Sequence, residues 1–331
     1  MTYRRWLRLL EWAAALAVVL FLGRHIARNW VQIAAYPWSV DWPRLVLASA
    51  CIAAAYSIFV LMWRRILRLL GGLLSIVDAH RIWYISDLAR YIPGRVWQVA
   101  GSAYMARAKG VSPIFAVSAS LAAQLFVLAG GLLVAALTLG GVAERIPSDI
   151  RLLGLLAALG LFAVLFTPLF GATYRAALRA VHRSDYYSYI PWGERALLLG
   201  VYVLAWLGFG GGFYLFVSAT AELPAGSFWP VVGVSAAGYV AGFVVLLVPG
   251  GIGVREGVYA LLLSLYLPGS VAAAVAVLSR VWLTAVELVV AGLLLVRYGL
   301  GDLRPVTGLE SASQGEEPGR GSAGEVEPRR L

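Results

Sequence analysis

The sequence predicts an all-α integral membrane protein, a polytopic helical bundle with two Pro-Gly-broken, re-entrant helical hairpins in an inverted repeat. Three observations lead there. The 331 residues are 61% hydrophobic and 13% charged, against about 45–50% and about 25% in an ordinary soluble domain. Apolar runs able to cross a bilayer core of about 30 Å recur along the chain. A Pro-Gly break stands in a stretch of mixed polarity at Pro93-Gly94 and again at Pro249-Gly250.

Met1–Arg8 carries Arg4, Arg5 and Arg8 and leads into the apolar run Leu9–Gly23. With no small-residue cleavage site behind it, that run reads as a retained signal anchor. The further apolar runs are Leu45–Trp63, Ile114–Gly141, Leu152–Phe170, Ala196–Ala219, Val231–Val248, Ile252–Leu267 and Val271–Val296. Lysine and arginine number three before the first run and eight from Arg64 to Lys109, while the loop around Glu222 has none. The positive-inside rule then puts the N-terminus, Arg64–Lys109 and the C-terminus in the cytoplasm of a plasma-membrane, multi-pass protein. Residues 1–300 form one polytopic membrane domain. From residue 301 to 331 the composition turns to Gly, Ser, Glu and Pro, which predicts a disordered cytoplasmic tail.

The segment Ala79–Ala108 holds Arg81, Asp87, Arg90, Arg95 and Arg107 among Trp, Tyr and Ala, too polar to span lipid and too apolar for an ordinary loop. At its centre stands Tyr91-Ile92-Pro93-Gly94-Arg95, and Leu247-Val248-Pro249-Gly250-Gly251 follows at an offset of 156 residues. The same offset aligns Gly101 with Gly257 and Gln124 with Arg280. The predicted repeat halves run from about residue 45 to 141 and from about 196 to 298. If each Pro-Gly break is a hairpin tip entering and leaving on one side, the topology is six crossings plus two re-entrant hairpins. Eight full crossings give the same cytoplasmic C-terminus. Irregular backbone at membrane depth is tolerated where it is buried in protein or lines a cavity, so two tips predict one central cavity, as in inverted-repeat transporters.

The densest candidate constellation is Val248–Gly257, in which Pro249, Gly250, Gly251, Gly253 and Gly257 form the second hinge, as Pro93 and Gly94 form the first. A helix starting near Gly253 would present free amides and Arg255 to an anion such as a phosphate headgroup; a packing hinge with Arg255 paired to a neighbour is the other reading. Arg280 and Glu287 lie seven residues apart on one helix face in an apolar stretch. Intramembrane charges face a cavity or each other, so the two are either substrate contacts or members of structural ion pairs, Arg280 with Glu256 for example. Arg95 and Gln124 occupy the corresponding places in the first half, and Asp87 and Arg90 precede its tip as a polar rim. Arg107 and Lys109 read as topological charges. Tyr36-Trp38-Trp42 and Tyr186-Tyr187-Tyr189-Trp192 read as interfacial anchors.

Other chemistries are poorly served. The net charge of +10 is explained by cytoplasmic loops without invoking nucleic acid. His25, His80 and His182 are isolated, Cys51 is the only cysteine, and no HExxH, serine-elbow or phosphate-loop pattern is present. No metal, cofactor or enzymatic activity is expected.

On Tyr91–Lys109, Val248–Gly257 and the order of helices around them, the chain resembles the membrane region of the lysylphosphatidylglycerol synthase, or multiple peptide resistance factor, family over most of residues 1–300. Many relatives carry glycine near position 97, where this chain has Trp97. The resemblance implies a flippase-like, stand-alone membrane protein without the soluble synthase domain, translocating an anionic or decorated phospholipid or a polyprenyl-linked lipid. A non-transporting, lipid-binding scaffold for a lipid-modifying enzyme is the alternative. The expected partners are therefore a membrane lipid and, beyond it, a second copy or such an enzyme.

Overall fold

Backbone amides in hydrocarbon find no water, so a chain this apolar closes its hydrogen bonds within helices. A computed structural model describes residues 24, 27–28, 30–91, 96–140, 148–167, 171, 190–244, 251 and 253–303. Among them are ten α-helices, two short 3-10 turns and no strand. In chain order the helices are α1 (Trp30–Ala35), α2 (Trp42–Leu69), α3 (Ile76–Asp87), α4 (Val96–Ala108), α5 (Pro113–Thr138) and α6 (Ser148–Phe166). There follow α7 (Trp192–Thr220), α8 (Phe228–Val244), α9 (Val254–Leu263) and α10 (Gly269–Tyr298). The expectations placed on Leu9–Gly23, on Pro93, Gly94 and Arg95, on Pro249 and Gly250, on Tyr186–Tyr189 and on the tail from residue 304 lie outside the described residues.

Helices α2, α5, α7 and α10 have 28, 26, 29 and 30 residues. At about 1.5 Å per residue each is longer than the bilayer core. Their starts are legible locally. The Asp41 carboxylate accepts from the Arg44 amide at 3.0 Å to cap α2, and Ser75 accepts from the Asp78 amide at 3.0 Å to cap α3. Prolines at or just before the first turn set the entry of α2, α5, α7 and α10, where a missing N–H costs nothing. The outward faces are apolar: Leu152, Leu153, Leu156 and Leu159 of α6 and Val281, Leu288, Val289 and Leu293 of α10 are all exposed. In water such a surface would aggregate; against acyl chains it is the expected exterior.

At the centre α2 and α7 lie side by side. Glycines of α7 permit the fit. A Cβ on Gly212 would stand 3.1 Å from the Ala48 carbonyl oxygen of α2, and one on Gly210 would stand 2.9 Å from the Val232 Cα of α8. Around this pair, α5 packs on α7 and α8, and α10 packs on α2 and α3. Helix α3 folds back on α4, and α8 on α9; α4 then packs on α5, and α9 on α10. Exchanging α2–α5 for α7–α10 leaves these contacts unchanged.

Three expectations need correction. The run Ile252–Leu267 supplies only the ten-residue α9, about 15 Å long and too short to cross; it starts late because Gly253 takes φ +85° and ends at the turn before Pro268. Gly257 is no hinge, since its amide donates to the Gly253 carbonyl at 2.7 Å inside α9. Order also continues past residue 300: Gly301–Leu303 forms a 3-10 turn, held because the Leu303 side chain is buried in the core.

Candidate functional site

The inner faces of α2, α3, α4, α5, α7, α8, α9 and α10 enclose a cavity of about 560 Å³. Its walls are largely aromatic. Tyr56, Phe59 and Trp63 line it from α2 and Tyr202, Trp206 and Phe209 from α7, each set spaced along one helical face. Rings from the two helices meet across the centre: Phe59 stacks on Tyr202 at 5.7 Å, and Tyr56 meets Phe209 edge-on at 5.7 Å. Unlike the interfacial anchors Tyr36, Trp38 and Trp42, these two stripes are not evident from composition; their shared spacing on one face is the available signal.

The polar lining comes from both sides. From the first hairpin, Gln98 donates to the Asp87 carboxylate at 2.6 Å, so Asp87 belongs to the cavity wall. From α5, Ser120 accepts from the Trp63 indole at 3.1 Å, and Gln124 lines the cavity with its Nε2 buried and without a hydrogen bond.

From the second hairpin comes Arg255, in the first turn of α9 and 6% exposed. Its guanidinium lies over Phe209, Tyr239 and Tyr259 at 5.8, 5.5 and 5.4 Å from the ring centroids, and its Nε donates to the Tyr259 hydroxyl at 2.7 Å. Aromatic faces attract a cation but leave its donors unused. Nη2 of Arg255 is buried and has no hydrogen bond.

Arg280 also lines the cavity and stands 3.6 Å from Glu256, the structural pairing that sequence analysis had kept open. The other Glu256 oxygen accepts the Gly253 amide, a capping-box contact from the third residue of the helix. One amide that was expected to face an anion is thus taken by the protein's own carboxylate. Glu287 turns elsewhere, accepting the Tyr56 hydroxyl at 2.5 Å across the α2–α10 interface. Of the predicted site residues, Arg255, Arg280 and Gln124 line the cavity; Glu256 and Glu287 stand behind its wall. Gly251, at φ +66°, lies against α8, where a Cβ would come 2.8 Å from the Gly242 oxygen.

Two charges of the segment from Ala79 to Lys109 make structural contacts. Arg81 is buried and donates to the Tyr298 and Gly299 carbonyls at 3.1 and 2.6 Å, closing the C-terminal end of α10, where a cation suits the helix dipole. Lys109 pairs with Asp78 at 3.1 Å.

Four membrane-length helices and shorter apolar ones, packed around an arginine-bearing cavity, define a multi-pass helical membrane protein. Residues 9–291 match the family model described as the lysylphosphatidylglycerol synthase TM region, and the chain belongs to that family. The match is to that transmembrane region and includes no synthase domain. No curated protein matches the chain.

Proposed function

We propose that the protein binds an anionic or decorated phospholipid in the central cavity and carries its headgroup across the bilayer. The observation that carries this reading is Arg255: a cation more than nine-tenths buried, at a cavity wall, with a donor unused. An intramembrane charge is expensive, and a buried unsatisfied donor costs about 1–3 kcal/mol. A lipid phosphate offsets both, accepting from Nη2 and neutralising the guanidinium. The aromatic walls suit the glycerol and upper acyl segments, while the tails remain among the exposed apolar faces.

Translocation is supported by the arrangement of the halves. We take residues 45–141 and 196–298 as an inverted repeat in which α3–α4 and α8–α9 are re-entrant hairpins on opposite sides. Helices α3, α4 and α9 have 12, 13 and 10 residues, each about 20 Å or less and short of a full crossing. Rocking of one half against the other would open the cavity to each side in turn. The excess of arginine between Arg64 and Lys109 supports a plasma-membrane protein with both termini cytoplasmic.

The test is headgroup translocation in proteoliposomes made from the host's lipid extract, comparing wild type, Arg255→Ala and protein-free vesicles. Wild-type flux above the protein-free rate, lost in a folded Arg255→Ala variant, is the expected result. Copurified lipid without flux would instead make the protein a non-transporting lipid binder that serves a partner enzyme.

A further inference from the structure

We infer that Glu287 is a proton-binding site that works through Tyr56, so that the cavity takes up a proton when an anion binds at Arg255. The anion's identity rests on the reading of the cavity as a phospholipid site; the proton site adds what moves with it.

Glu287 has no part in the cavity reading. It lies about three turns inside the C-terminal end of α10, only 3% exposed and behind the lining. An ionisable group at such depth is expensive, and where it communicates with a cavity it marks an ion or proton path. Tyr56 supplies the communication. It lines the cavity while its hydroxyl donates to the Glu287 carboxylate at 2.5 Å. On the cavity side one ring, Phe209, meets Tyr56 edge-on at 5.7 Å and carries the Arg255 guanidinium at 5.8 Å, and Arg255 and Tyr56 interact electrostatically.

The Tyr56–Glu287 hydrogen bond runs in one direction at a time. An ionised carboxylate only accepts, so with Glu287 ionised the phenolic proton is held by it. When Glu287 takes one proton from solvent, its new O–H donates to the Tyr56 oxygen, and the phenolic O–H is released to turn toward the cavity. One solvent proton adds to one carboxylate oxygen, and the phenol keeps its own. The cavity wall gains a donor on the Arg255 side, and a bound phosphodiester accepts from both. Electrostatics act in the same sense, since an anion that neutralises Arg255 removes a positive field that favours the ionised carboxylate. Anion and proton then strengthen each other's binding by the same factor. The loaded cavity gains one negative and one positive charge, which eases passage of the headgroup through hydrocarbon.

Among the described residues, the other titratable groups on the elements packed against α10 are placed as follows. Helix α3 brings Tyr84, within electrostatic reach of Glu287 and Asp87, and Arg81, held at the C-terminal end of α10. Helix α9 brings Arg255 and Glu256, the latter paired with Arg280 of α10 itself. Helix α7 meets α10 through Phe216 stacked on Trp282 at 4.4 Å, and α1 has no titratable residue. Asp87, which lines the cavity and accepts from Gln98, is the competing proton site.

The full-length protein is titrated calorimetrically with dihexanoyl phosphatidylmethanol, whose phosphodiester carries a fixed charge and which has no other titratable group. Between about pH 5 and about pH 9, in paired buffers of different ionisation enthalpy, wild type should take up a fraction of a proton per lipid rising toward one, and its affinity should fall as pH rises by up to about tenfold per pH unit. Glu287→Gln fixes a neutral side chain that can donate to Tyr56, and should bind the probe with no proton uptake and a flat pH profile. Tyr56→Phe should lose most of the uptake and Asp87→Asn should keep it; protons per bound lipid do not depend on the folded fraction. Wild-type binding without uptake at any pH overturns the proton site. Uptake that persists in Glu287→Gln and vanishes in Asp87→Asn assigns it to Asp87 instead, and full uptake in Tyr56→Phe removes the relay. Failure of wild type to bind the probe at any pH defeats the phospholipid reading itself, a result distinct from binding without protons.

Discussion

The α2–α10 and α5–α7 interfaces change places when α2–α5 is exchanged for α7–α10, and they are built from opposite chemistry. Where α2 meets α10, the Tyr56 hydroxyl donates to buried Glu287 at 2.5 Å and the Trp282 indole donates to Ser49 at 3.0 Å. Where α5 meets α7, the Trp206 ring lies on Gly130 and Gly131, close enough that a Cβ on Gly131 would fall 3.0 Å from it, and the indole donates to the Val127 carbonyl at 2.8 Å. One joint is polar between side chains, the other a large ring pressed onto bare backbone. The cavity shows the same division, with Arg255 and Arg280 on the α9–α10 side and Gln124 on the α5 side. Among the described residues the cavity's two arginines come from α9 and α10, while its carboxylate, Asp87, comes from α3.

The largest expected effect comes from removing the counter-charge on the cationic side. Glu256→Gln leaves Arg280, whose side chain is 16% exposed, beside a neutral amide, and breaking a buried pair from one end costs about 3–5 kcal/mol, of which this partly exposed pair should show the lower end. Thermal unfolding in detergent should show Glu256→Gln far below wild type, and Glu256→Gln combined with Arg280→Gln recovering much of the loss. Equal losses in the single and double variants would mean that Glu256 acts mainly through the Gly253 amide.

The packed joint comes next. Trp206 is 1% exposed, and Trp206→Ala should cost about 3 kcal/mol through the cavity it leaves. The polar joint should tolerate its counterpart better: Tyr56→Phe removes a hydroxyl but keeps the ring, for a loss of about 1–2 kcal/mol. Denaturation curves that reversed this order would put the main hold between the halves in the Tyr56–Glu287 contact.

How much of this was legible beforehand follows from what each signal depends on. Membrane-length helices rest on composition alone, and α2, α5, α7 and α10 begin within a few residues of the predicted apolar runs. The partnership of Arg280 with Glu256, one of the two readings left open for Arg280, came from the cost of an unpaired charge in lipid. The aromatic cavity wall was not read because tyrosine and tryptophan inside an apolar helix look like any packed core; only knowing that α2 and α7 face each other makes Tyr56–Trp63 and Tyr202–Phe209 one surface. Arg81 was taken as part of a polar stretch because its partners, the carbonyls at the end of α10, lie more than 200 residues away in the chain. The free amide expected at Gly253 was lost to a contact three residues long, Glu256 folding back on its own helix start.

The smallest expected effect concerns the central α2–α7 seam, which joins α2–α5 to α7–α10. Arg65 grips Glu194 through two hydrogen bonds, 2.9 Å from Nε and 2.8 Å from Nη2, a bidentate geometry that would be strong if dry. The Arg65 side chain is 41% exposed and that of Glu194 26%, so water and salt screen the pair and exposed ion pairs are worth about 0.2–1 kcal/mol. Glu194→Ala should therefore lower stability by less than about 1 kcal/mol, with the difference from wild type shrinking as salt is raised. A larger, salt-insensitive loss would mean that charge fastens the seam. The small one expected leaves that role to the backbone contact at Gly212 and the stacked rings of Phe59 and Tyr202, so that the α2–α7 seam is held by shape rather than by charge.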